Sequence, residues 1–334
     1  MLNYTIRRIA FAVPTLLVIS FAIFLIVTLS PADPTANLPL TIPPEVRDKI
    51  RASLGLGEAL PVRFWLWLKQ FVVIEPMHYS NKWFGTEFEV GQRILSWQTR
   101  SPVMDLIAQR IPQTLWVVGI AYIVGILIAV PIGIVSAYRQ YSWFDQIGTF
   151  VSMIGFSVPT FFTGVLLIVV FSVWLGWFPS IYDTTLVVDD WDSFLQQLKQ
   201  MVMPVTVLAL FNAAQISRFM RASMLDNLQQ DYVRTARAKG LQERTVVLLH
   251  VLRNSMIPVI TVIALNIPTV FGGALITEQV FKVNGLGQLL IVAIQGADVP
   301  TVQTISVIFA VLIVLFNLVA DIAYAFLDPR IRYD

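Results

Sequence analysis

The chain of 334 residues has no cysteine, two histidines and little charge, with Asp, Glu, Lys and Arg together supplying only 13% of it. Each shortage closes off a class of function. Without cysteine there is no disulfide, no thiolate metal site and no thiol nucleophile. His78 and His250 lie far apart in the chain, which argues against a histidine-built metal centre. No GxxxxGK[ST] segment occurs, so the chain lacks that route to ATP. A formal net charge of +2 is too small to suggest a nucleic-acid partner. No Ser/His/Asp, paired-carboxylate or metal-ligand constellation meets at one depth, so no catalytic residue and no metal ligand is assigned.

What the chain has in abundance is apolar residues, 56% of the total, where a soluble domain carries roughly a quarter of its residues charged. Uncharged runs of about 20 residues, long enough for roughly 30 Å of helix, mark six spans and an all-α integral membrane protein. They cover about Ile9 to Leu29, Pro112 to Ala137, Gln146 to Trp177, Met201 to Met220, Ile257 to Phe281 and Thr301 to Leu327. The first is read as an uncleaved anchor, because its run exceeds a signal-peptide core and SPADPTA is a poor cleavage site. Pro159 removes a backbone donor and predicts a break near SVPTFF. Asn212 and Gln215 interrupt the fourth span. Trp65, Trp67, Trp174 and Trp177 fit anchoring at the membrane interface.

Lys and Arg are retained on the cytoplasmic side. The Arg7/Arg8 end, the Arg139 turn, the stretch from Arg218 to Arg253 and the Arg330/Arg332 tail hold most of the basic residues outside one long hydrophilic segment. Both termini are therefore expected on the cytoplasmic side. The domain reading is an anchor at 1–30, an external domain at 31–111, a core of five further spans at 112–327 and a tail at 328–334. A cytoplasmic loop occupies 221–256 within the core. Val46, Ile50 and Leu54, with Gly55 after them, predict a short amphipathic helix in the external domain. That domain is either a cap packed on itself or a docking surface.

The loop carries the densest unusual pattern. In DYVRTARAKGLQERTVVLLHVLRNSMIP, Leu225, Leu228, Tyr232 and Ala236 fall on one helical face, and Gly240 permits a left-handed stop. A second helix follows, with Pro258 suited to the entry of the fifth span. Ala236 and Ala238 leave a small-residue surface flanked by Arg234, Arg237 and Lys239. Basic charge that merely orients the chain would explain the sign of this loop; its helix-turn-helix pattern suits a flat edge that docks into an acidic groove. Elsewhere, Ser157 and Pro159 at the expected break and Asn266 and Pro268 in IALNIPTVFGG are candidates for lining a path, since broken helices expose backbone only where something polar meets it. Ordinary helix packing, suggested by Gly272, Gly273 and Ala274, is the alternative. Glu278 and Asp321 lie near span ends, are expected to stay hydrated and are read first as structural, with Glu278 kept as a path candidate. GLGQLL is expected to start a short surface helix.

TARAKG and the later LRN resemble the EAA loop of inner-membrane subunits of ATP-binding cassette importers. Ala236 and Gly240 stand at its third alanine and its glycine, with Arg234 and Thr235 in its first two positions. DYVRTARAKG and HVLRN are similar to the form found in the B-type subunit of the dipeptide/oligopeptide permease family. RRIAFAVPTLLVISFAIFLIVTLSPADP, SPVMDLIAQRIPQTL, ITEQVFKVNGLGQLLIVAIQGADVPTVQ and FLDPRIRY extend the resemblance over nearly the whole chain. It implies the type I importer permease fold, six transmembrane helices with an external domain between the first two. It also implies a coupling helix at Arg234, Thr235, Ala236, Arg237, Lys239 and Gly240. The partners implied are a second homologous permease subunit in a heterodimer, two cytoplasmic ATPase subunits and an extracytoplasmic substrate-binding protein. No cofactor is implied on this chain, since ATP and magnesium are used by the ATPase subunits. Peptides are the implied substrate; nickel chelates, opines and oligosaccharides travel through relatives, and an ATP-independent channel or an intramembrane enzyme is the reading from another class.

Overall fold

The structure, a computed structural model, describes residues 2–29, 43, 45–46 and 57–327, excluding the side chains of 2–5, 268–273, 320 and 322–327. The expected amphipathic helix around Ile50 and Leu54 and the basic tail lie outside the described residues. Among those described there is no strand beyond an isolated bridge between Leu95 and Pro102. The helices are α1 (Leu2–Leu29), α2 (Leu60–Lys69), α3 (Glu75–Phe84), α4 (Val103–Tyr138), α5 (Trp143–Ser157), α6 (Thr160–Leu167), α7 (Trp191–Leu228), α8 (Asp231–Ala238), α9 (Glu243–Thr245), α10 (Leu252–Phe281), α11 (Leu286–Gln295) and α12 (Val299–Leu327). Wider π-helical stretches at Gln70–Ile74, Ile168–Trp174 and Val246–Val251 join or extend them.

Among the described residues five helices are long and apolar enough to cross a membrane, or six if α5 and the α6 segment, bent by 104°, make one span. The bend falls where expected. Val158 is extended, because the residue before a proline is pushed out of helical geometry, and Pro159 then opens α6. The fourth span proves far longer than its apolar run, since α7 covers Trp191–Leu228. Its polar interruptions have a physical reason. In the most apolar stretch of α7, 72% of residues are buried within the chain, against 11% in α1. A helix surrounded by protein can hold Asn212, which is buried and donates to the Leu208 carbonyl at 2.7 Å.

The chain forms two compact units, one made of Met1–Ile9, Gln113–Gln288 and Ile313–Asp334, the other of Ala10–Pro112 and Leu289–Leu312. In the first, α7 is the axis. Leu208, Ile216, Met220 and Met224 are buried along it, and small residues let neighbouring backbones approach, as membrane helix packing favours. A Cβ built on Gly133 of α4 would lie 2.5 Å from Met220 Cβ and 2.8 Å from the Ser217 carbonyl oxygen. The acidic residues before α7 shape its start. Asp190 accepts from the Ser193 amide at 2.7 Å in a capping box, and that hydrogen bonding holds its carboxyl below the ordinary range. Asp321 meets Arg8 at 3.0 Å, in keeping with a structural role.

In the second unit, Phe64 and Phe71 of the α2 segment stack on either side of Trp67, with centroids 6.2 and 5.4 Å away. Trp67 is buried, so it is not an interfacial anchor as Trp65, Trp174 and Trp177 can be. Buried Glu75 pairs with Arg93 at 2.8 Å, and Arg93 reaches Asp105 at 2.9 Å. Tyr79 donates to Asp105, and its hydroxyl is pushed up to about 12, first by burial and then by that bond.

The close approach at Gly133 yields a test. Gly133→Leu should destabilise the chain by about 1–3 kcal/mol through overpacking, read as a lowered Tm in detergent. Gly119→Ala in the same helix meets nothing within 4 Å and should not lower Tm.

Candidate functional site

The basic elbow between α7 and α10 is built around one left-handed residue. Gly240 has φ +76°, and the last turn of α8 closes onto it. The Gly240 amide donates to the Arg237 carbonyl at 2.9 Å and the Leu241 amide to the Ala236 carbonyl at 3.4 Å, the paired bonds that end a helix at a glycine. Arg237 then spans the turn to Glu243 with two bonds of 2.7 and 3.1 Å, which raise its guanidinium above its ordinary value. Asp231 in the first turn and Arg237 in the last match the helix dipole.

Arg234, Thr235, Arg237, Ala238, Lys239 and Gly240 are exposed, while Ala236 is not. Ala236 packs inward with Val233, Met224, Val246, Val247 and Val251, so the expected small surface shrinks to Ala238. Nor is there one face through Leu225, Leu228, Tyr232 and Ala236. α7 stops at Leu228 and α8 starts at Asp231, which turns Tyr232 outward to hydrogen-bond Asn227 and Val233 inward. Pro258 does not open the fifth span either. Helical backbone begins at Glu243 and continues through the π stretch, placing Pro258 inside α10.

The base of the elbow is stapled by two reciprocal bonds. The Ser223 hydroxyl donates to the Ser255 carbonyl at 2.9 Å and the Ser255 hydroxyl to the Ser223 carbonyl at 3.2 Å, both buried, tying α7 to α10. A second tie escaped the sequence reading. Arg221 of α7 forks onto buried Asp145 at 2.6 and 2.8 Å. Ser142 accepts from the Asp145 amide while Asp145 accepts from the Tyr141 amide. The Ser-x-x-Asp spacing at 142–145 is the signal that could have revealed this helix start.

The path candidates do not form one cluster. Ser157 and Pro159 sit exposed at the α5–α6 break. Asn266 is half-buried in α10, and Pro268 belongs to the same helical backbone, its side chain outside the described set, as are those of 269–273. Glu278 lies twelve residues beyond Asn266, about 18 Å along a helix. It is fully buried, which corrects the expectation of hydration. Its carboxylate accepts from Thr114 Oγ1 at 2.7 Å and from the amides of Gly287 and Gln288 at 2.7 and 3.2 Å. GLGQLL does start a short helix, but its first turn is buried on this carboxylate. A cavity of about 610 Å³ opens among α4, α5, α6 and α7, with Phe144, Val151, Phe162, Leu166 and Phe211 in its walls. Among the described residues no cluster of three or more His, Asp or Glu side chains could hold a metal.

A transport family, described as the binding-protein-dependent transport system inner membrane component, matches residues 129–333, and its N-terminal part matches 1–118. The chain belongs to this family. It is a multi-pass inner-membrane permease component of the ATP-binding cassette importers. It is 38% identical over 337 residues to the oligopeptide transport system permease protein AppB of Bacillus subtilis, covering 100% of both chains. It is 37% identical over 337 residues to the glutathione transport system permease protein GsiC of Escherichia coli K12, again with 100% of both covered. Among solved structures, the MetNI methionine ABC transporter in inward-facing conformations matches with a TM-score of 0.55 at 18% identity, over 68% of this chain and 99% of that one. The all-α permease is thus of the type I importer fold.

The buried carboxylate supports a stability test on this permease. Glu278→Ala leaves three donors without their acceptor, and each costs about 1–3 kcal/mol. Tm should fall markedly, and Glu278→Gln, which keeps one acceptor oxygen, should lose less.

Proposed function

We propose that this permease forms half of the path by which an ATP-driven importer carries peptides of the dipeptide and oligopeptide class across the inner membrane. The observation that carries the reading is a stiff, exposed basic turn in a chain that is alike along its full length to peptide permeases. A second, similar permease subunit supplies the other half. Two cytoplasmic ATPase subunits use ATP and magnesium, and an extracytoplasmic binding protein delivers substrate. The permease performs no covalent chemistry. In this reading both termini and the elbow are cytoplasmic, and 31–111 is external.

The elbow's chemistry suits a coupling role. Arg234, Arg237 and Lys239, with Thr235 and Gly240 between and beside them, would settle into an acidic groove on the ATPase. Charge steers that encounter, whereas the buried residues keep α8 from yielding once docked. Displacement of the groove would then move α8 as a body. Met224 and the Ser223–Ser255 staple would pass the motion into α7 and α10. α7 packs on α5, which ends at Ser157 before the Pro159 break, and α10 carries Asn266, Pro268 and Glu278. The candidates for lining the path therefore sit on, or next to, the helices that the elbow would drive.

Gly240→Val places a β-branched residue at positive φ, a strain of about 1–2 kcal/mol. It should leave the permease in the membrane with ATP hydrolysis no longer yielding peptide uptake. Normal uptake by this variant would remove the coupling role. Replacing 235–240 by a flexible linker should abolish co-purification of the ATPase. Because the chain has no cysteine, Ala238→Cys offers a unique thiol. It should react with an impermeant maleimide only after the cells are opened, and labelling in intact cells would reverse the proposed topology.

A further inference from the structure

One cavity in the second unit has no place in the coupling scheme. It holds about 250 Å³, below the range of about 300–1,000 Å³ usual for drug-sized ligands, so it suits a small group rather than a peptide. Thr28 lines it one residue before the end of α1, and Gln303 lines it four residues after the start of α12. At 1.5 Å per residue these are within about 2 and 6 Å of the helix ends. The cavity thus lies at the level where two spans leave hydrocarbon for headgroups. Arg63 and Trp67 of α2 complete the polar wall.

Three side chains that line this space each carry a buried polar atom with no hydrogen-bond partner among the described residues: Thr28 Oγ1, Trp67 Nε1 and Gln303 Nε2. Trp67 is 7% exposed and Gln303 3%. The indole and amide nitrogens can only donate, and a buried donor left unmet is costly enough to be rare in folded proteins. The lining also holds Arg63, Arg93 and Arg100 and, among the described residues, no carboxylate. Arg93 is already engaged by Glu75 and Asp105. Burial lowers the Arg63 guanidinium from its ordinary value, a cost an anion beside it would offset. Unmet donors and cations with no carboxylate beside them in the lining describe a site for an anion that offers only acceptor oxygens.

We infer that this cavity binds a phosphate group, supplied by the headgroup of an anionic phospholipid. The bilayer is favoured over a free ion as the source because the surroundings are apolar. Ile26 and Leu29 of α1 and Leu66 at the rim are exposed hydrophobic side chains along which acyl chains can lie. The lipid would close the contact between α1, α2 and α12 from the side, and this role does not depend on which substrate is carried.

The assembled transporter, purified in detergent, is titrated with phosphatidylglycerol, phosphatidylcholine and inorganic phosphate and followed by native mass spectrometry. Phosphatidylglycerol should be retained roughly ten-fold more than phosphatidylcholine. Its retention should fall about ten-fold in Trp67→Phe, which removes the N–H together with the five-membered ring of the indole, and in Arg63→Gln. It should also survive excess inorganic phosphate. Equal retention in Trp67→Phe, with that variant's lipid-free Tm matching wild type, overturns the site. Displacement of the lipid by phosphate overturns the bilayer as its source. A measurement free of variants is the wild-type Tm in nanodiscs, expected to be higher in phosphatidylglycerol than in phosphatidylcholine; equal values overturn the inference.

Discussion

A helix that starts inside a membrane protein presents up to four N–H groups with no partner in its own backbone, and hydrocarbon offers none. In this permease Glu278 and Asp190 meet part of that demand by accepting helix-start amides, and Asp145 and Asp298 put negative charge at two further helix starts. Glu278 takes the amides of Gly287 and Gln288 at the start of α11, Asp190 opens α7 and Asp145 sits in the first turn of α5. Asp298 precedes α12 and accepts from Ser96, from the Trp97 amide and from Thr301. Negative charge is favoured at a helix N-terminus, and hydrogen bonds to a charged acceptor are among the strong ones. Glu278 and Asp298 also tie distant segments together. Each draws donors from a stretch of chain more than 160 residues distant, so the end of one helix fixes the position of another.

These ties explain what could and could not be read from residue order. Spans show themselves because lipid demands long uncharged runs, and Gly240 and Pro159 show themselves because backbone conformation at those residues is decided locally. The burial of Glu278 is invisible in the same terms. Its position near a span end suggests water, and only the return of Thr114 and of the Gly285–Gln288 turn dries it. Tyr232 and Ala236 depart from the periodic pattern for a related reason. A continuous helical face was assumed through Gln229 and Gln230, and two non-helical residues there rotate everything after them. Arg221 and Asp145 are 76 residues apart, a pairing no periodicity encodes.

Within the elbow, magnitudes decide which contacts matter. Arg237 and Glu243 are about 40% exposed, at 44% and 38%, and such a surface pair contributes on the order of 0–1 kcal/mol. The inward contacts of Val233 and Ala236, together with the buried serine staple, are of the kind whose removal costs several times more. Stiffness therefore resides in the hidden side of α8, and the visible charges are left to choose a partner.

The π stretch at Val246–Val251 carries a consequence for how chains of this kind can change length. A π turn is an α-helix holding one residue more than its ladder requires, and one residue turns a helix by about 100°. Excising the extra residue here would restore regular α geometry while leaving Ser255 and the rest of α10 facing α7, because the wide turn absorbs that residue locally and does not pass its rotation on. This segment can thus lose one residue without turning the stripe away from its neighbour, whereas the same loss within the regular part of α10 would rotate everything after it by about 100°.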